Sequence, residues 1–111
     1  MRIAFFALAA LVTLAPACNG SSADVDNILM LTGDADNGAT LYSSKCASCH
    51  GAMGEGGIGT ALTKEAPEHS DDDIVTDILE GISGTQMVGF RDQLSDQEVA
   101  DLLAFIRRDF G

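Results

Sequence analysis

Past its first two dozen residues, this chain repeats its apolar positions at helical spacing. The start is different. Ile3 to Leu14 is apolar throughout except for Thr13; Met1-Arg2 precedes it and Ala15-Pro16-Ala17 follows. A short positive start, an apolar stretch and a small-residue end are the order of a secretory signal. At about twelve residues the run is too short to cross a bilayer, which needs about twenty. We expect residues 1–17 to be a signal peptide removed on export. Residues 18–33 read as a tether, small and polar from Asn19 to Asp26. Ile28-Leu29-Met30-Leu31 is apolar enough to pack on the domain that follows, taken as residues 34–111.

Three helices are expected within that domain. Over 34–45, Thr32 or Asp34 can cap, and Gly38, Leu41, Tyr42 and Lys45 fall three or four residues apart. Over 71–82, Ser70 and Asp73 have the spacing of a capping box. Asp71, Asp72 and Asp73 sit where the helix dipole favours negative charge. Ile74, Ile78 and Ile82 make one stripe with Val75 and Leu79 beside it, and Gly81 and Gly84 close the helix. In the third, Ser95 caps, Glu98 completes a capping box, and Val99, Leu102, Leu103 and Ile106 form the apolar face. No segment alternates with a period of two, so the class is all-α. Between the first two helices, Gly51, Gly54, Gly56, Gly57 and Gly59 exclude a regular element and let backbone approach something flat.

Composition narrows the function. The chain has 17 Asp+Glu against 6 Lys+Arg, a formal net charge of −11. That balance argues against nucleic acid as a partner and against electrostatic docking on anionic lipid. At 46% apolar the chain is no disordered acidic segment. With 5 Phe, 1 Tyr and no Trp, however, an unaided core lacks bulky anchors. Three Cys leave one over after any pairing.

Cys18 follows the expected cleavage point directly. Leu14-Ala15-Pro16-Ala17-Cys18 is similar to a bacterial lipobox, although Ala15 stands where Leu is usual. Ala15-x-Ala17 also suits ordinary signal cleavage, which would leave a soluble periplasmic protein with a free thiol. Such a thiol is a liability in an oxidising compartment, which favours acylation of Cys18 and tethering to a membrane.

Cys46-Ala47-Ser48-Cys49-His50 is a C-x-x-C-H string, the pattern of c-type haem attachment. Two thiols one helical turn apart can each add to a haem vinyl group and place the ring beside His50, the proximal ligand. A thioredoxin-like redox pair would need a preceding strand. A zinc site would need a fourth ligand, and only His69 and Cys18 remain. The sixth iron ligand is expected from Met87. Met53 is three residues from His50, a span of at most about 10 Å, too little to round a haem. Met30 is expected to pack, and His69 beside Glu68 reads as a surface residue. Met87 lies in a Gly-rich passage between Gly84 and Gly89, a poor core setting and a suitable ligand loop.

Taken together, these residues resemble class I cytochrome c in its short bacterial form, from about Asp34 to Phe110. Asn37-Gly38 with Tyr42 resembles the family's first helix, and Phe105 the aromatic of the partner helix that crosses it. Residues 57–62 resemble the haem-packing loop; Met87-Val88-Gly89-Phe90 resembles the ligand loop. The resemblance implies three main helices around one covalent haem c, with Gly59, Thr60, Leu62 and Phe90 among the haem-binding residues. It implies that the Thr60 carbonyl, where the family commonly has Pro, accepts a hydrogen bond from His50. It implies an electron carrier, not an enzyme, expected to be monomeric and to meet redox partners with a basic docking face. Val88 replaces the family's usual Pro after the ligand Met, which points to a softer iron–sulfur bond. Two alternatives stay open: a haem peroxidase or gas sensor with an open sixth site, and a subunit that feeds electrons into a larger redox complex.

Overall fold

Two helices cross at the centre of the structure, a computed structural model that describes residues 20–111. They are α2 (Ala35–Lys45) and α6 (Asp96–Phe110). Asp34 begins α2, its carboxylate accepting from the Asp36 and Asn37 amides at 3.0 and 3.2 Å. Ser95 and Glu98 begin α6 with both arms of the expected capping box. The crossing is close because Gly38 has no side chain. A Cβ there would lie 2.0 Å from the Asp101 carbonyl oxygen. Beside it, Tyr42 is buried between Phe105 and Phe110, with ring centroids 5.1 and 5.2 Å away.

α5 (Asp71–Glu80) lies against the same core through Val75, Ile78 and Leu79, with the Ser70 hydroxyl accepting from the Asp73 amide at 3.1 Å. It ends two residues before the expected boundary, at Gly81 with φ 70°. Arg107 of α6 ties this region together, donating to Asp71 Oδ1 and to the His69 carbonyl, each at 2.6 Å. Between α2 and α5, the five glycines from Gly51 to Gly59 lie in irregular chain, as expected, with short helical elements on either side. These are α3 (Ala47–His50), α4 (Leu62–Glu65) and a 3-10 turn over Ala66–Glu68. Among the described residues the secondary structure is helical, apart from one isolated bridge between Gly81 and Val88.

The segment expected to be a tether differs most. Gly20–Leu29 is a helix, α1, packed on α5 and α6. Val25 and Ile28, three residues apart, are 2% and 0% exposed and belong to the core. That apolar pair outweighs the polar composition around it, since one buried stripe suffices to hold a helix. Met30, expected to pack, is 84% exposed because the helix ends at Leu29 and turns it outward. The expected signal peptide and Cys18 lie outside the described residues.

Candidate haem-binding site

The C-x-x-C-H string sits where α2 gives way to α3. Cys46 is the hinge, with φ −119° and its amide donating to the Tyr42 carbonyl at 2.9 Å. One turn then brings Cys49 back over Cys46, with the Cys49 amide donating to the Cys46 carbonyl at 3.2 Å. Both thiols are free and half-buried. Burial pushes the Cys46 thiol up to about 11, with Cys49 adding to the shift and Lys45 opposing it. That direction is opposite to the lowering that marks the activated thiolate of a redox-active pair. No group of His, Cys, Asp and Glu suited to a metal ion occurs among the described residues.

The glycine-rich passage folds back over His50. The Gly56 amide donates to the His50 carbonyl at 2.7 Å and the Gly59 amide to the Cys49 carbonyl at 2.8 Å. Gly59 then lies flat on the imidazole. A Cβ there would stand 2.9 Å from His50 Cε1. The next residue orients the ring, with His50 Nδ1 2.8 Å from the Thr60 carbonyl oxygen. A carbonyl can only accept, so Nδ1 carries a proton, and in the neutral imidazole Nε2 is the nitrogen with the free lone pair.

Met87 comes from the other side, in the segment between α5 and α6. Its carbonyl accepts from the Ile82 amide at 3.1 Å, and the Phe90 amide reaches back to the Ile78 carbonyl at 2.8 Å. Two cavities, of about 320 and 410 Å³, open between these segments. Cys46, His50, Thr60, Ile82 and Met87 line both. Leu62 lines the first, and Cys49, Gly59 and Phe90 the second. All eight residues expected from the sequence are thus on the walls of one split space. The walls also hold residues the sequence reading assigned no site role: Tyr42, Ile74, Ile78, Leu102 and Ile106 on the apolar side, and Glu65, His69 and Asp77 at a polar edge. The apolar ones had a signal in the helical stripes, which could equally have been closed core. The polar edge had none. Burial raises the Asp77 carboxyl, and nearby His69 opposes the shift.

These residues fit a haem. The space is apolar and lies open in a small domain. Two free thiols stand one turn apart at its wall, an imidazole held through Nδ1 lines it, and a thioether lines it too.

Comparison with known proteins decides the family. Residues 33–106 match the family described as cytochrome c oxidase, cbb3-type, subunit III. The chain belongs to this family of c-type cytochromes. It is 32% identical over 113 residues to cytochrome c6 of Thermosynechococcus vestitus, across 96% of this chain and 87% of the relative. It is 34% identical over 83 residues to a cytochrome c-553-like protein of Synechocystis, across 75% of this chain and 76% of the relative. The fold is similar to cytochrome cL of Hyphomicrobium denitrificans, with TM-score 0.59 and 27% identity over 66% of this chain. This chain spans 45% of that larger structure. The cytochrome carries a covalently bound c-type haem, with Cys46 and Cys49 in the attachment positions. Its function is electron transfer, and it is an electron carrier in class, not an enzyme.

Proposed function

We propose that this cytochrome holds its iron between His50 and Met87 and passes single electrons between redox proteins on the outer side of a membrane. The observation that carries the reading is that His50 and Met87, contributed by different segments, line the same two cavities beside the cysteine pair. When bound, the haem supplies a one-electron iron couple. The residues do the rest. The Thr60 carbonyl fixes the His50 tautomer and ring plane, so Nε2 presents a lone pair in a set direction. Met87 offers a neutral, polarisable sulfur, which favours the reduced iron and raises the potential. Leu62, Phe90 and the apolar faces of α5 and α6 exclude water, and Gly59 keeps the backbone flat against His50.

Export and anchoring belong to the same proposal. Residues 1–17 direct the chain out of the cytoplasm, and Cys18 becomes the first residue and carries acyl chains. Removal of residues 1–17 takes Arg2 away and leaves a net charge of −12, which suits redox partners with a basic face and steers their approach at low ionic strength. The protein acts as a monomer in this reading. The family description favours one second reading, in which the same domain feeds electrons into a membrane oxidase as one of its subunits.

Intact mass of the protein purified from a bacterium with haem-attachment machinery tests both parts. The expected mass is that of residues 18–111 plus one haem plus acyl groups. A mature chain of that length with haem and no acyl mass contradicts the anchor. A chain without haem mass contradicts the whole proposal. Co-purification with integral-membrane oxidase subunits, against a lone small species, separates the two readings.

A further inference from the structure

We propose that the Thr85 hydroxyl is a clasp that holds Met87 in position at the cavity wall, in a loop that lacks the stiffening of a proline. The inference rests on Met87 being the axial ligand and adds the residue that positions it.

One backbone bond closes the loop on itself and two tie its end to α5. Ile82 donates to the Met87 carbonyl at 3.1 Å, Phe90 to the Ile78 carbonyl at 2.8 Å, and Arg91 to the Leu79 carbonyl at 3.2 Å. Between them the chain is unsupported by packing. Residues 82–86 are all exposed. Gly84, at φ 78°, has nothing within 4 Å of where a side chain would point. The Val88 amide donates no hydrogen bond among the described residues, and Val88 is 60% exposed.

One side chain spans this apex. Thr85 Oγ1 donates to the Ile82 carbonyl at 2.7 Å and accepts from the Met87 amide at 3.2 Å. A hydroxyl has one donor and two acceptor sites, so it makes both bonds at once. The Met87 amide is thereby fixed by Thr85 and the Met87 carbonyl by Ile82. Both peptide planes flanking Met87 are held, and with them the direction in which its side chain leaves the backbone. When Met87 swings away, the clasp must open or strain. Its loss therefore shifts the balance toward the vacated position by the worth of about one neutral hydrogen bond, about threefold to tenfold in the equilibrium.

The test uses the full-length, haem-loaded protein and the variants Thr85→Val, Thr85→Ser and Met87→Ala. Imidazole enters the sixth position only when Met87 has left, so its apparent affinity reports the vacated fraction. We expect Thr85→Val to bind imidazole about threefold to tenfold more tightly than the unaltered protein. Thr85→Ser, which keeps the hydroxyl, should return to the unaltered affinity. A Thr85→Val protein with a lowered thermal midpoint and unchanged imidazole affinity overturns the clasp, since Thr85 then serves the fold alone. Failure of Thr85→Ser to restore the affinity overturns it too, because the methyl group and not the hydroxyl would matter. If the unaltered protein binds imidazole as tightly as Met87→Ala, Met87 is not the ligand and both readings fall.

Discussion

Gly38 and Asp101 show how much of this fold turns on single residues. A Cβ at Gly38 would overlap the Asp101 carbonyl oxygen, and backbone cannot move aside without parting α2 from α6. Gly38→Ala should cost about 3 kcal/mol or more, read as loss of stability in denaturant titration. Asp101 is 4% exposed, and its carboxylate accepts from the Asp34 amide at 2.7 Å, Asn37 Nδ2 at 2.8 Å and Gln97 Nε2 at 2.9 Å. Burial alone would raise its pKa, but the three donors hold it below the usual carboxylate range. Its contribution is present at neutral pH and is lost as pH falls through the depressed value. Asp101→Asn should remove about 1.5–3 kcal/mol at neutral pH, and its acid-unfolding profile should be flatter than that of the unaltered protein. The role of Gly38 could be read in the sequence, because its setting with Asn37 and Tyr42 is a family pattern. Asp101 could not. In the sequence it reads like any solvated acid, and only the crossing of α2 and α6 reveals its burial and its three donors.

Among the elements, the helices with strong caps and apolar stripes were legible to within two residues. Ser70, Ser95 and Glu98 mark their own ends, and Gly81 at φ 70° stops α5. α1 was hidden for the opposite reason. Its first turns are small and polar, and among its described side chains Val25 and Ile28 are the apolar ones that reach the core. Propensity reads such a segment as a tether, and tertiary packing decides otherwise. Ile28→Ala should cost about 2–5 kcal/mol as a fully buried truncation. Met30→Ser, at an exposed position, should change stability by no more than about 0.5 kcal/mol. Equal effects of the two in thermal unfolding would contradict the packing of α1. The site loops were half legible. The attachment string and Met87 announce themselves by residue type and spacing. The His50–Thr60 hydrogen bond was reachable only through family resemblance, since a backbone carbonyl leaves no trace in a side-chain pattern.

At the scale of the whole molecule, the poverty in bulky residues and the split cavity are one fact. A chain of 111 residues with 5 Phe, 1 Tyr and no Trp leaves an open apolar space of several hundred Å³ beside its core. Unfilled, that space costs contacts a domain of this size has no surplus to cover. The haem-free chain should therefore show no cooperative heat-absorption peak in calorimetry, and the loaded protein a clear one. The central claim is that His50 and Met87 together close the iron to other chemistry. Absorption spectra of the oxidised and reduced protein, with and without carbon monoxide, test it most directly. The account predicts low-spin bands that carbon monoxide leaves unchanged, with a weak oxidised-state band near the red edge that vanishes in Met87→Ala. High-spin bands that shift with carbon monoxide in the unaltered protein would contradict it, and would mark an open iron suited to sensing or peroxide chemistry.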